Sequence, residues 1–160
     1  MGSILSDQLK LVVLGGSIGS LGPLRAIVAA LPNDPGFAVL VITHLDPKEE
    51  SRLPDILQAD ARMPVENLVH LRKIEHDRIY VLPEDAGVIA LDGHFRLTRR
   101  QAGLNLPIDG CLASLAQHPD VNDAAVILSG TGQDGAGDCL SRSTVVACSG
   151  AKIRGAALPC

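Results

Sequence analysis

The stretch Leu11-Val12-Val13-Leu14-Gly15-Gly16-Ser17-Ile18-Gly19-Ser20 decides how the rest of the chain is read. Four aliphatic residues without polar alternation suit a strand buried on both faces, and the small residues after them bring it to an abrupt stop. Downstream, Leu24, Ile27, Val28 and Leu31 recur at the i, i+3, i+4, i+7 spacing of one helix face. Pro23 falls in the first turn of that helix, where a missing N–H costs nothing. The turn-rich segment Pro32-Asn33-Asp34-Pro35-Gly36 closes it. The β-branched run Phe37-Ala38-Val39-Leu40-Val41-Ile42-Thr43 is then a second buried strand. Strand, helix and strand in this order make a βαβ unit, the opening of a mostly parallel α/β sheet.

Composition bounds the alternatives. A chain of 160 residues predicts a single domain, over residues 10–160, behind a polar lead-in at 1–9. With one Tyr, two Phe and no Trp in a chain that is 46% hydrophobic, the core must be aliphatic. A net charge of −4 argues against nucleic acid as a partner, and so few aromatics leave little for bases to stack on. The short basic run Arg96-Leu97-Thr98-Arg99-Arg100 reads as a solvated strand end. Cys111, Cys139, Cys148 and Cys160 show no ligand spacing, so neither a metal site nor a disulfide framework is expected. No secretory leader and no membrane-length apolar run stand out, which points to a cytoplasmic protein without membrane insertion.

Residues 49–61 read as a second helix, with Leu53, Ile56 and Leu57 on its apolar side and Pro54 restarting its first turn. Met63-Pro64-Val65 leads into a polar segment, and residues 78–83 form a further strand. Val88-Ile89-Ala90-Leu91 and His94-Phe95-Arg96-Leu97, joined by Asp92-Gly93, spell a β-hairpin attached to the parallel sheet. A helix over residues 106–117, with Leu112 and Leu115 inward, precedes a buried strand at Ala124-Ala125-Val126-Ile127-Leu128. That strand also runs into glycines: Ser129-Gly130-Thr131-Gly132-Gln133-Asp134-Gly135.

Three buried strands are thus followed by the parts of one reaction: Ser17, His44 and Asp134. Such chemistry needs a hydroxyl, an imidazole to take its proton, and a carboxylate to hold the imidazole's tautomer and stabilise its cation. Parallel strands finish on one sheet edge, so distance along the chain is no obstacle. Backbone N–H groups of the glycine-rich turns, around Gly16, Ile18 and Gly19 and around Thr131 and Gly132, are placed to bind a developing oxyanion. Competing readings of the glycines fare worse. Gly16, Gly19 and Gly22 recur every three residues, unlike a dinucleotide-binding G-x-G-x-x-G, and no G-K-[ST] is present for a P-loop. The order serine, histidine, acid also differs from that of α/β-hydrolases.

Gly15-Gly16-Ser17-Ile18-Gly19-Ser20, His44-Leu45-Asp46-Pro47, Tyr80-Val81-Leu82-Pro83, Leu106-Pro107-Ile108-Asp109 and residues 127–135 resemble, in order, the motifs of the catalytic domain of chemotaxis protein-glutamate methylesterases, closest to the branch often fused to a chemotaxis methyltransferase. The resemblance spans about residues 10–138. It implies a three-layer α/β/α fold with a mostly parallel, doubly wound sheet. It also implies hydrolysis of glutamate γ-methyl esters, and glutamine deamidation, on the cytoplasmic helices of methylated chemoreceptors. Ser17 would be nucleophile, His44 base and then acid, and Asp134 the orienting carboxylate, without metal or organic cofactor. A fused or associated methyltransferase or regulatory domain is the further partner it implies. Two other readings are a receptor-binding module of this fold without turnover and a serine hydrolase of other small esters.

Two positions depart from the family pattern. Ser20 stands where glycine is usual, and after Asp134 the segment Gly137-Asp138-Cys139-Leu140-Ser141-Arg142-Ser143 replaces the usual helix, strand and Gly-Met-Pro loop. The expectation is therefore an atypical domain, truncated after about residue 138.

Overall fold

In the computed structural model, which describes residues 9–16, 21–43, 52–83, 86–99, 111, 121–127, 145–149 and 152–153, the opening stretch becomes strand β1 (Leu9–Gly16) in the interior of a sheet. Helix α1 (Leu21–Ala30) follows, then β2 (Ala38–Thr43), helix α2 (Leu53–Asp60), and the strands β3 (Val65–Asn67), β4 (Arg72–Lys73), β5 (Ile79–Val81), β6 (Ala86–Leu91), β7 (His94–Arg99), β8 (Val121–Ile127), β9 (Val145–Ser149) and β10 (Lys152–Ile153). The larger sheet has the order β10-β9-β8-β1-β2-β5-β3, and all its pairings are parallel except β10 with β9. Strand β1 pairs with β2 on one side and β8 on the other, so its backbone donors and acceptors have partners without help from water. Such a strand can be apolar on both faces. Leu11, Val13 and Leu14 are buried, as is all of β2 from Ala38 to Ile42.

The period-2 alternation of these strands divides the core. On one face Leu14, Val39, Val41, Ile79 and Val81 pack with Leu24 and Val28 of α1 and Leu53 and Leu57 of α2. On the other, Leu11, Val13, Leu40, Ile42 and Tyr80 pack with Val88, Ala90, Phe95 and Cys111. The fold is thus the expected α/β class, and the hairpin is placed as read: Asp92 and Gly93 take φ of 52° and 73°, the left-handed pair of a type I′ turn. Helix α2 (Leu53–Asp60) falls within the reading of 49–61, with Pro54 in its first turn. Residues 44–51 lie outside the described residues, as do Leu112 and Leu115.

The polar segment after Pro64 holds what sequence reading passed over. Val65–Asn67 forms the outer parallel strand β3, and Arg72–Lys73 joins the hairpin to give a three-stranded ribbon, β4-β7-β6. Side-chain bonds stand in for the missing length of these strands. Gln58 receives a bond from Val65 N at 2.9 Å and donates to the Met63 carbonyl at 3.1 Å, tying the end of α2 to the start of β3. Arg72 reaches Glu66 at 2.6 Å and Glu75 at 2.9 Å, while Arg78 reaches the same two carboxylates. The Arg72 guanidinium also lies 5.6 Å from the centre of the Tyr80 ring, whose edge meets Phe95 at 5.2 Å. Beneath it the buried Tyr80 hydroxyl accepts from Glu75 N at 2.9 Å and donates to the Lys73 carbonyl at 3.3 Å. One aromatic residue of a parallel strand therefore latches the ribbon to the sheet.

Three outcomes follow from this architecture. In native-state hydrogen exchange, the amides of Val12 to Gly15, paired on both sides, exchange only through global unfolding, whereas those of the short outer strand β3 exchange by local opening. Tyr80→Phe leaves the Glu75 amide and Lys73 carbonyl without their partner and lowers stability by about 1–2 kcal/mol, read as a lower urea midpoint at unchanged slope. The hydrogen bond from Arg72 holds the Glu75 carboxyl below the usual carboxylate range, against burial, which pushes it up. Its contribution is therefore complete above the unfolded pKa and disappears as pH falls through the lowered folded value. Glu75→Gln flattens that acid limb in urea titrations run from pH 6 to 3, about the range in which a carboxylate titrates.

Candidate functional site

Strand order locates a crevice before any side chain is considered. From β1 the chain moves to β2, β3 and β5 on one side, then later places β8 on the other side of β1. Helices α1 and α2 cover one face, while Cys111, at a helical position ahead of β8, is buried against the opposite face. The connections thus diverge at β1, and in open α/β sheets a ligand crevice forms at such a point, beyond the carboxyl ends of the strands.

Register then brings the strand ends together. Gly16, the buried last residue of β1, is the partner of Thr43, the last residue of β2. Ser17 and His44 are the next residues of the two chains, and parallel neighbours run about 4.8 Å apart. On the other side Gly15 partners Ile127, the last residue of β8, and Asp134 is the seventh residue after it. Of the residues singled out from sequence, Gly16 is described; Ser17, Ile18, Gly19, His44, Thr131, Gly132 and Asp134 lie outside the described residues. What the structure contributes is the convergence of the three strands that lead into the serine, the histidine and the glycine loop.

Helix α1 adds to this edge. It begins five residues after Gly16, and its first turn holds no acidic residue to offset the positive end of the helix dipole. Partial positive charge near the carboxyl end of β1 favours an oxygen that gains negative charge during reaction. Thr43, half-buried and in register with Gly16, is a polar residue of this edge that sequence reading took only as the end of a β-branched run. Its place follows from pairing register, which no local pattern encodes.

The shifted ionisable groups among the described residues serve the scaffold. Arg25 of α1 donates to Asp60 of α2 at 2.6 Å, and that bond holds the Asp60 carboxyl low. Burial pushes the Tyr80 phenol up. No group of three or more His, Cys, Asp or Glu suited to a metal ion occurs among the described residues. No described helix is long and apolar enough to cross a membrane. Residues 145–149 form β9 and extend the sheet beyond β8.

Comparison with known proteins points the same way as this geometry. The sequence profile of one family, the CheB methylesterases, matches residues 12–143. A protein-glutamate methylesterase/protein-glutamine glutaminase of Paraburkholderia xenovorans (strain LB400) is 28% identical over 152 residues, covering 86% of this chain and 39% of that protein. One of the same description from Bordetella avium (strain 197N) is 30% identical over 139 residues, covering 79% of this chain and 38% of that protein. The chain therefore spans about two fifths of the length of these curated relatives. The crystal structure of the Thermotoga maritima CheB methylesterase catalytic domain is similar with a TM-score of 0.74 at 28% identity, over 86% of this chain and 78% of that one.

Proposed function

This chain belongs to the CheB methylesterase family, and from that premise we propose that it hydrolyses glutamate γ-methyl esters on the cytoplasmic helices of chemoreceptors. The observation that carries this reading is the register of Gly16 with Thr43, the residues directly before Ser17 and His44.

In the proposed reaction His44 takes the Ser17 proton as Oγ attacks the ester carbonyl, and the carbonyl electrons move onto oxygen. Backbone N–H groups of the two glycine-rich turns, at Ile18, Gly19, Thr131 and Gly132, receive that oxyanion. Collapse expels methoxide, which leaves as methanol with the proton His44 returns. Water, deprotonated by the same imidazole, then attacks the acyl-serine and releases a glutamate carboxylate and the free hydroxyl. Asp134 orients His44 and stabilises its cation throughout. A glutamine side chain follows the same course with ammonia as leaving group, in keeping with the glutaminase half of the relatives' names. The working place is the cytoplasm. The ester is the product of a methyltransferase, fused or separate, and a regulatory domain in the same protein or a partner would set the rate.

The test is methanol release from a methylated receptor cytoplasmic fragment. Ser17→Ala and His44→Ala each lower the rate by about 10³-fold or more, and Asp134→Asn lowers it by a comparable factor while leaving fragment binding intact. Equal rates in native chain and variants overturn the assignment; hydrolysis of small esters alone, with the fragment untouched, overturns the substrate.

A further inference from the structure

We propose that the outward face of the ribbon β4-β7-β6 docks the acidic helices of the substrate, apart from the strand edge where chemistry is assigned. The inference rests on the reaction proposed above, because each ester hydrolysed leaves one more carboxylate on the same helix.

The ribbon presents two unlike faces. Phe95, Val88 and Ala90 are buried against the sheet. Cross-strand partners share a face, so the pairs Lys73 with His94, Leu91 with His94, and Ile89 with Arg96 put these five residues on the other side. Lys73, His94 and Arg96 are exposed there, with Leu91 and Ile89 half-buried between them. At the tip, Leu71, Leu91, Asp92, His94 and Arg96 line a shallow cavity of about 320 Å³. Leu71 at 54% exposure and Val69 at 56% are the exposed large hydrophobic residues among those described, and both sit in the turn leading to this face.

Charge selects the occupant. Lys73 and Arg96 join no ion pair among the described residues, although Lys73 stands near enough to Glu75 to act on its carboxyl, and the carboxylate that lines the tip cavity is Asp92 alone. A chain of net charge −4 thus carries a cationic strip floored by aliphatic side chains. The complementary surface is one with carboxylates at helical spacing around apolar residues, which partly hydrolysed receptor helices supply. A bare polyanion would satisfy the guanidinium and ammonium groups and leave Leu71, Leu91 and Ile89 uncovered.

The experiment uses Lys73→Glu with Arg96→Glu, both at exposed positions, and compares a partly methylated receptor cytoplasmic fragment with a short peptide bearing one glutamate methyl ester. On the fragment the double variant raises KM about tenfold, with kcat unchanged and the salt dependence of kcat/KM reduced. On the short peptide both constants stay as in the native chain. An unchanged KM on the fragment overturns the proposal, and so does an equal loss on both substrates. If the native chain hydrolyses neither, the reaction fails, and docking is read from anisotropy of a labelled, fully demethylated fragment. Binding weakened by the two substitutions sustains the docking face; binding that is absent or insensitive to them overturns it, as does a face that takes up anionic vesicles or duplex DNA and not the fragment.

Discussion

The parallel pairing of β1 with β2 and β8 is the constraint on which the other features depend. A strand hydrogen-bonded on both sides has no edge to show to water, and because its side chains are aliphatic on both faces, both must be covered. Layers on the two faces follow from that requirement: α1 and α2 on one, the ribbon and Cys111 on the other. The same pairing aligns Gly16 with Thr43 and Gly15 with Ile127, and so decides which strand ends lie side by side. A slip of one residue would move every aliphatic side chain of β1 to the wrong face, which makes the register costly to change. The alignment at the candidate site is therefore a by-product of core burial. The placement of these strand ends and the stability of the core draw on one set of contacts.

The ribbon is held differently. It joins the sheet through Tyr80 and Phe95, two of the three aromatic residues in the chain, and through the Arg72 and Arg78 pairs with Glu66 and Glu75. Exposed ion pairs contribute little on their own, since water and salt screen them. Here they surround a buried phenol whose hydroxyl is satisfied at both ends, and that burial makes the arrangement specific. With so few aromatic side chains, the position of each one carries more of the fold's geometry than in an average core.

Much of this was legible in the residues. The apolar runs at β1 and β2, the spacing of α1 and the Asp-Gly turn are local signals, and each element lies within a few residues of its reading. Strands β3 and β4 were not legible, because three and two residues cannot show a period. They are strands by virtue of β5 and β7, which offer the partners, and of Gln58 and Arg72, which fix their ends. The run at β9 had a suitable composition, but no local feature says that it lies beside β8. For the candidate site, sequence supplied Ser17, His44 and Asp134 as types and an order; the structure supplied the neighbouring strands that carry the chain to the first two. Thr43 escaped notice since a β-branched residue at a strand end is indistinguishable from core until its register is known.

Charge connects the fold to the proposed chemistry. The chain is acidic overall, and hydrolysis of a glutamate ester adds a negative charge to the substrate at every turnover. Bulk electrostatics would then oppose re-encounter more strongly as the reaction advances. A positive helix end beside β1 counters this locally for an oxyanion, over a turn or less, and cannot reach a long helical partner. Lys73 and Arg96 on the ribbon act over the Debye length, about 8 Å at physiological salt, and lie on an element latched to the parallel sheet through Tyr80. Under the proposed reaction, the subsidiary ribbon would answer a problem that the parallel sheet alone does not solve: holding an increasingly anionic substrate close to an acidic protein.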